Sequence, residues 1–324
     1  MKYSNIDGVA KPVSRIVQGT AFSGRVSDQR DYMLGLFDDV FELGITTFDM
    51  AHNYGGGDVE RIFGHWLETR GVRDEVVILT KGAHHSQDRK RVTPFDIESD
   101  IHDSLARLGT DHLEIYLLHR DDESQPVGPI VAKLDEYHRK GVISIYGGSN
   151  WSIERLQEAN AWAAANGAEP FRASSPNFSL ADQIAVPWEG CISISGPGSH
   201  DDRAWYQEAQ MPLFTWSSLA GGFFSGRFRP DNLDSFSDYY DRVVVDFYCN
   251  EDNFERLARA QILALEKSLT VAQIAVAYIF NSPLNIYALI ASRSAGELQQ
   301  NIEALELELG PAEMAWLDLL GDTR

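Results

Sequence analysis

The chain alternates between short apolar runs and longer segments with helical spacing. Each apolar run is typical of a strand that is buried on both faces of a parallel sheet. The runs occupy residues 45–48, 76–79, 113–118, 142–146, 212–216 and 286–290. Segments with an apolar residue at every third or fourth position lie between most of the runs. They predict helices at residues 28–43, 58–69, 94–108, 129–139 and 153–166.

The ends of these predicted helices carry residues that start or stop helices. A glycine follows several of them, at Gly44, Gly71, Gly109, Gly141 and Gly167. Thr93, followed by proline, and Ser152 are suitable N-cap residues for two of the helices. Strands and helices that alternate in units of roughly 30 residues predict βαβ crossovers and a parallel sheet.

An open dinucleotide-binding sheet and a closed barrel both fit this alternation, and the first strand–helix turn distinguishes them. The open sheet requires a G-x-G-x-x-G fingerprint at that turn. The first strand candidate, residues 14–20, runs instead into Ala-Phe-Ser-Gly at 21–24. We therefore predict an α/β fold of the (β/α)8 TIM-barrel type, as a single domain over residues 1–324 with extended βα loops.

Composition narrows the classes of partner. The 324 residues carry a net charge of −20, with a pI of about 4.8, which argues against nucleic-acid binding and against docking on anionic lipid. No apolar stretch approaches the ~18–20 residues of a membrane span, and the N-terminus lacks the apolar core of a signal peptide. Cys191 and Cys249 do not make a disulfide framework. We expect a cytoplasmic protein with no nucleic-acid or membrane partner.

Polar residues with chemical potential follow the predicted strands. Asp49 and His119 come directly after two of the runs, and Lys81 follows the run between them after one further residue, Thr80. Later runs are followed by Ser149-Asn150, Trp216-Ser217 and Ser292-Arg293. A single polar residue at a strand end has an ordinary structural explanation, but a carboxylate, a lysine and a histidine at three successive ends predict a site, because active sites of barrels lie where the strands end.

The chain resembles the aldo-keto reductase family in an ordered set of motifs. Residues 44–55 resemble the family signature Gly-x-x-x-Phe-Asp-x-Ala-x-x-Tyr-Gly. Lys81 in LTKG, His119 in LLHR and Ser149-Asn150 in GGSNW match the later motifs in the same order. The resemblance covers about residues 13–307 and implies the barrel fold that the alternation predicts. It also implies reduction of an aldehyde or ketone with a nicotinamide cofactor.

The resemblance implies four catalytic roles. Tyr54 is the expected general acid, which protonates the carbonyl oxygen while hydride arrives from the cofactor. Lys81 is expected to lower the pKa of Tyr54, and Asp49 to hold Lys81 in a buried ion pair. His119 is expected to donate a hydrogen bond to the substrate oxygen.

The resemblance also implies a cofactor site. Ser149, Asn150 and Ser175 correspond to contacts of the nicotinamide carboxamide, although the family usually has glutamine in place of Ser175. Trp216 corresponds to the ring on which nicotinamide stacks. Arg293 and Ser294 correspond to the clasp of the adenosine 2′-phosphate, so NADP(H) is expected rather than NAD(H). The remaining expected cofactor contacts are Ser217, Leu219, Gly221 and Asn301, and Glu297 stands where many members have arginine.

The substrate is a small carbonyl or alcohol that the sequence does not name. Phe22, His84, Arg120 and Trp151 sit at loop starts and are candidate pocket walls. No metal site is expected, since His84 and His85 lack a third ligand at a convincing spacing. Specificity is expected to depend on loops 83–93, 120–128, 174–200 and 225–250.

Two other functions stay open, together with the oligomeric state. Some relatives of this family are cofactor-binding regulatory subunits of a partner protein and turn over slowly. An unrelated barrel enzyme, such as an isomerase or lyase, would bind no nicotinamide.

Overall fold

The computed structural model describes residues 1–21, 29–321 and 323–324, and its central feature is a closed barrel of eight parallel strands. A short antiparallel pair, β1 (Tyr3–Ser4) and β2 (Val13–Ser14), precedes the barrel. The barrel strands are β3 (Ile16–Gly19), β4 (Thr47–Asp49), β5 (Val77–Gly82), β6 (Leu113–Leu118), β7 (Ile143–Ser149), β8 (Ala173–Ser175), β9 (Leu213–Thr215) and β10 (Ile286–Ile290). They pair in chain order, and β10 closes the ring between β9 and β3. The (β/α)8 prediction is confirmed.

Helices surround the barrel. They are α1 (Arg30–Glu42), α2 (Asp58–Arg70), α3 (Pro94–Leu108), α4 (Val127–Arg139), α5 (Ile153–Asn166), α6 (His200–Ala209), α7 (Tyr239–Tyr248), α8 (Glu251–Lys267), α9 (Val271–Phe280), α10 (Ala295–Glu303) and α11 (Pro311–Leu317). In the part of the chain that the structure describes, no single helix is long and apolar enough to cross a membrane. Within the described ranges, one pair of helices, α8 and α9 with a bend of 100° between them, meets the criteria of length and composition when taken together.

Two apolar regions hold these elements together. One fills the space between the barrel and its helices, and it includes Phe37, Phe48 and Trp66. The other fills the barrel interior with one or two inward-facing residues from every barrel strand except β4. Ile6 and Val9, in the connection between β1 and β2, belong to the interior region. The β1–β2 hairpin therefore covers the end of the barrel at which the strands begin.

The agreement with the sequence is closest where a helix has clear end signals. Helices α3 and α5 have the predicted bounds, and the N-cap side chains of Thr93 and Ser152 accept hydrogen bonds from the N–H groups of Asp96 and Arg155. The strand predicted at 142–146 continues to Ser149. Strand β8 was not predicted, because its three residues, Ala-Ser-Ser, carry no strong apolar signal.

The close approach of β7 to β8 depends on Gly147. It lies on β7 opposite Ala173 of β8, and a Cβ there would be 1.9 Å from the carbonyl oxygen of Ala173. Because that oxygen belongs to the backbone, it has little freedom to move. We expect Gly147→Ala to lower the free energy of unfolding by about 1–3 kcal/mol, measured by urea denaturation.

The matched control is Gly35→Ala, on the exposed face of α1, where a Cβ meets no atom within 4 Å. We expect this change to raise the free energy of unfolding by about 0.5–1 kcal/mol. If both substitutions had the same effect, the packing of β7 against β8 would not limit stability.

Candidate active site

The pairing of β4, β5 and β6 brings three polar side chains into the open end of the barrel. Asp49 lies opposite Leu79, and Lys81 lies opposite Leu117. Leu79 and Leu117 face the barrel interior, and side chains two residues apart on a strand share a face. Asp49, Lys81 and His119 therefore all point inward at the carboxyl ends of the strands, as the sequence predicts.

Lys81 and Asp49 form a buried ion pair. Their residues are 2% and 3% exposed, respectively. The Lys81 Nζ atom donates hydrogen bonds to Asp49 Oδ1 and, at 3.1 Å, to the carbonyl oxygen of Met50. Burial lowers the pKa of Lys81 and raises the pKa of Asp49, and the attraction between the two groups opposes both shifts. The pair is stable only while both partners are present.

Tyr54 lies above this pair on the 3-10 turn Tyr54–Gly57. The Lys81 Nζ atom is 5.4 Å from the centroid of the Tyr54 ring, and the His119 ring centroid is 5.7 Å from it. The turn requires glycine at position 57, where φ is 94° and a Cβ would lie 2.5 Å from the Arg107 guanidinium. The turn follows β4 and places the Tyr54 ring near Lys81 and His119.

The pKa of Tyr54 is raised in this structure, although the resemblance leads one to expect that Lys81 lowers it. Burial of the hydroxyl and then the charge of Asp49 raise the pKa of Tyr54 well above its usual value, against a smaller lowering by Arg120. The physical reason is that a buried phenolate would lose its hydration and would also be repelled by the Asp49 carboxylate. Tyr54 is therefore protonated at neutral pH in this structure.

His119 is neutral at the same pH. It is 7% exposed, and burial, followed by the charges of Lys81 and Arg120, holds its pKa well below the usual range. Its Nδ1 atom is buried and has no hydrogen-bond partner among the described residues. The His84 ring lies edge-on to it, with 4.8 Å between the ring centroids. A neutral imidazole has one N–H to donate.

The expected nicotinamide residues lie together on the adjoining strands. Ser149 is paired with Ser175, and its hydroxyl donates to the Ser175 carbonyl oxygen at 3.1 Å. Asn150 Oδ1 accepts hydrogen bonds from Trp216 Nε1 and from the Ile192 N–H, both at 3.1 Å. Asn150 Nδ2 donates to Ser149 Oγ at 3.1 Å. These polar groups therefore bind one another in the free protein.

Trp216 and the turn after it form the next part of the rim. Trp216 is partly exposed, and its ring lies 6.0 Å from that of Trp188. Ser217 has a φ of 51°, and Leu219 precedes a 3-10 segment in which Gly221 has a φ of 64°. A Cβ at Gly221 would lie 2.8 Å from Val244. The backbone therefore requires glycine at 221, at the mouth of the barrel.

Arg293, Ser294 and Asn301 lie around α10, after β10. Ser294 caps the helix, and its hydroxyl accepts a hydrogen bond from the Glu297 N–H at 3.3 Å. The Glu297 carboxylate accepts one from the Arg293 N–H at 2.9 Å. Among the described residues the exposed Arg293 guanidinium has no ion pair or hydrogen bond. Asn301 is buried and donates to Ser292 Oγ at 3.3 Å.

The four candidate substrate residues have different positions. His84 and Arg120 adjoin His119, whereas Phe22 lies outside the described residues. Trp151 is 1% exposed, and its Nε1 atom donates to the Arg120 carbonyl oxygen at 3.1 Å. It packs against Phe171, with 5.0 Å between the ring centroids. Trp151 is therefore a core residue that supports Arg120 and is not a pocket wall.

Two aromatic residues near the site carry no sequence signal. Trp188 lies beside Trp216, and the Trp188 Nε1 atom donates to the Tyr239 hydroxyl at 2.7 Å. The hydroxyl of Tyr240, on α7, is close enough to Tyr54 to contribute to its raised pKa. No motif marks these positions, because their approach depends on how the segments around 188 and 240 fold. Within the described ranges no group of three His, Cys, Asp or Glu side chains could hold a metal ion.

A closed (β/α)8 barrel with ionisable side chains gathered at the strand ends defines the architecture of a barrel enzyme. The sequence profile of the aldo/keto reductase family matches residues 15–322, and the chain belongs to that family. It is 25% identical to the uncharacterized oxidoreductase YrpG of Bacillus subtilis (strain 168) over 95% of this chain and 92% of YrpG.

Two further proteins are similar over most of their length. One is a probable voltage-gated potassium channel subunit beta of Oryza sativa subsp. japonica, which is 25% identical over 95% of this chain and 92% of the subunit. The other is the crystal structure of an aldo/keto reductase from Klebsiella pneumoniae in complex with NADP and acetate. It has a TM-score of 0.70 and 25% identity, over 97% of this chain and 93% of that one.

The Lys81–Asp49 pair generates a stability prediction. Lys81→Met removes the ammonium and leaves Asp49 as a buried carboxylate without its counter-ion. We expect the free energy of unfolding to fall by about 3–5 kcal/mol in urea denaturation. Adding Asp49→Asn should recover part of that loss, because it removes the orphaned charge.

The control is Lys140→Met, since the exposed Lys140 pairs with the exposed Glu136 on the outside of the barrel. That change should cost no more than about 1 kcal/mol. Equal losses for Lys81→Met and Lys140→Met would show that the buried pair has no special place in the fold.

Proposed function

We propose that this protein is an NADPH-dependent carbonyl reductase that converts an aldehyde or ketone to the alcohol, reversibly. The observation that carries the proposal is the cluster of Tyr54, His119 and the buried Lys81–Asp49 pair at the strand ends of a barrel in the aldo/keto reductase family. A protonated phenol beside a neutral imidazole is suited to binding and protonating a carbonyl oxygen.

The residues present fit a dinucleotide phosphate. The Arg293 guanidinium has no partner among the described residues, and it stands at the N-terminus of α10, where the helix dipole also favours an anion. Ser294 and Asn301 lie beside it. Since an arginine fork is complementary to a phosphate, this set favours NADP(H) over NAD(H). The Klebsiella relative, which was crystallised with NADP, supports the same choice.

The other end of the cofactor would lie in the barrel mouth. When bound, the reduced nicotinamide supplies the hydride. Trp216 offers a flat, partly exposed ring for stacking, and Ser149, Asn150 and Ser175 offer groups for the carboxamide. Because Asn150 is already bonded to Trp216 and Ile192, binding there requires an exchange of hydrogen bonds and not simply their addition. Ser217, Leu219 and Gly221 would cover the pyrophosphate.

Tyr54 is the proposed general acid. Its raised pKa keeps the proton on the hydroxyl until a substrate oxygen acquires negative charge. When the proton leaves, the phenolate is stabilised by the Lys81 ammonium, whose position depends on Asp49. That attraction favours ionisation of Tyr54, but in the free protein burial and the charge of Asp49 outweigh it. The reverse reaction, oxidation of an alcohol, uses the same phenolate as the base.

His119 is the proposed orienting group. Its low pKa keeps the imidazole neutral, so it binds the carbonyl oxygen by donating a hydrogen bond and does not compete with Tyr54 as an acid. The His84 ring, edge-on to His119, restricts the orientation of the imidazole. Together, Tyr54 and His119 would hold the oxygen between two donors.

A cofactor-binding regulatory subunit is the alternative, and the similarity to the rice channel subunit favours it. The discriminating experiment is a screen of aldehydes, ketones and alcohols that follows cofactor absorbance with NADPH and NADH. Steady turnover of one class supports the reductase. Tight NADPH binding with negligible turnover across the panel, together with a stable stoichiometric protein partner, would support the subunit.

Removal of the Tyr54 hydroxyl tests the proton donor. Tyr54→Phe keeps the ring, so NADPH binding should survive, while kcat for aldehyde reduction should fall by about 10²-fold or more because the general acid is lost. Tyr3→Phe, in β1 at the closed end of the barrel, is the control and should reduce aldehydes normally. Wild-type rates in Tyr54→Phe would show that another group donates the proton.

Arg293 tests the choice of cofactor. Arg293→Ala should weaken NADPH binding by about 1.5–3 kcal/mol, the range for charge-assisted hydrogen bonds, and leave NADH binding nearly unchanged. Fluorescence titration of both cofactors measures the two affinities. Arg139→Ala, on α4, is the control and should change neither. Equal losses for NADPH and NADH would assign Arg293 a structural role and remove the basis for preferring NADP.

A further inference from the structure

Arg120 is a buried arginine directly beside the proposed reaction centre. It follows His119 at the end of β6 and is 6% exposed. The Arg120 Nη1 atom donates to the carbonyl oxygen of His119 at 2.8 Å. Trp151 Nε1 donates to the carbonyl oxygen of Arg120 at 3.1 Å. The backbone and one edge of the guanidinium are therefore held by the protein.

No carboxylate among the described residues pairs with Arg120, although acidic residues follow it in the chain. Asp121 is bound to Arg155 at 2.8 Å, and Asp122 Oδ1 lies 3.6 Å from Lys90 Nζ. Arg155, which is similarly buried, has ion pairs to both Asp121 and Glu158. A buried cation without a counter-ion is costly. The buried Arg256 also has no ion pair among the described residues, but it donates to the side-chain oxygen of Asn253 at 3.1 Å, whereas Arg120 donates to a backbone carbonyl oxygen.

The charge of Arg120 lies on the substrate side of the barrel mouth. It is close enough to oppose the raised pKa of Tyr54 and to contribute to the lowered pKa of His119. Arg293, which also has no ion pair among the described residues, follows β10, and three strands lie between β10 and β6 in either direction around the ring. An anionic group bound at Arg293 would therefore lie across the barrel and not at Arg120.

The surroundings of Arg120 form a pocket wall of mixed character. A Cβ at Gly190 would lie 3.6 Å from Arg120 Cδ, so the segment at 190 covers the aliphatic part of the side chain. Trp188 and Trp216 supply aromatic surface nearby along the same rim. His84, with a pKa lowered mainly by burial, adds a neutral ring. A ligand that suits this wall has an apolar body and one anionic group.

We propose that Arg120 binds an anionic group, a carboxylate or a phosphate, of the carbonyl substrate, so that the enzyme prefers negatively charged aldehydes or ketones. A guanidinium can donate two parallel hydrogen bonds to either group. The net charge of −20 would otherwise repel such substrates, and a fixed local cation overcomes that repulsion at the site. This inference rests on the proposed carbonyl reductase function and specifies its substrate class.

Matched aromatic aldehydes test the proposal. 4-Carboxybenzaldehyde and 4-formylphenyl phosphate carry the anion, and methyl 4-formylbenzoate is the neutral counterpart of the first. We expect kcat/KM to be higher for at least one anion than for the ester, mainly through KM. In Arg120→Gln the anion-to-ester ratio of kcat/KM should fall by about 10- to 100-fold, the effect of losing charge-assisted hydrogen bonds. Arg120→Lys should restore part of it. The carboxylate and phosphate arms identify the preferred group.

The control is Arg172→Gln, at the start of β8 and at the opposite end of the barrel, where Arg172 pairs with Asp7 and Glu169. Its anion-to-ester ratio should equal that of the wild type. An unchanged ratio in Arg120→Gln, or an equal fall in Arg172→Gln, would overturn the inference. A loss of both substrates in parallel, as expected for a purely structural role, would overturn it as well.

Binding measurements without turnover test the anion site independently of the proposed reductase function. Benzoate and benzamide have the same shape and differ in charge, and their binding to the wild type and to Arg120→Gln can be followed by tryptophan fluorescence without turnover. Preference for benzoate that is lost in Arg120→Gln supports the anion site, even if no aldehyde is reduced and the reductase proposal fails. Equal binding of the two compounds by the wild type would refute the anion site whatever the enzyme reduces.

Discussion

Burial of the Lys81 ammonium against the Asp49 carboxylate is the interaction on which the rest of the site depends. Each group loses its hydration on folding, and each is tolerated there because the other is present. Adjacent strands, β4 and β5, bring the two groups together, so the pairing register of the barrel determines their distance. Burial and then the Asp49 charge raise the pKa of the nearby Tyr54 phenol. In the proposed reaction, that arrangement keeps the proton in place until it is needed.

The predictable parts of the molecule are those with a strong local pattern. Helices α3 and α5 begin at Thr93 and Ser152 caps and end before glycines, and their bounds follow from the sequence. Asp49, Lys81 and His119 were predictable as a group because parallel strands of a barrel all end at one face. For the short strand β8 a local pattern was lacking. The net upward shift of the Tyr54 pKa was not predictable, because it depends on burial and on charges from several elements that only the folded chain combines.

The long loops set the limit of prediction from sequence. Trp188 approaches Trp216, and Tyr240 approaches Tyr54, from segments whose conformation no motif specifies. Trp151 was expected on a pocket wall and instead lies in the core, where it supports the backbone of Arg120. For these residues the type of side chain indicated its chemistry but not the direction in which it points. The fold places a strand-end residue reliably, whereas the residue one position further along can point either way.

The β1–β2 hairpin gives the barrel a single opening. Ile6 and Val9 close the end at which the strands begin, so that end offers no passage for water or a ligand. Any molecule that binds at the strand ends must therefore enter and leave by the mouth that the ionisable groups line. A few apolar residues at the far end of the molecule thus confine entry and exit to one face of the barrel.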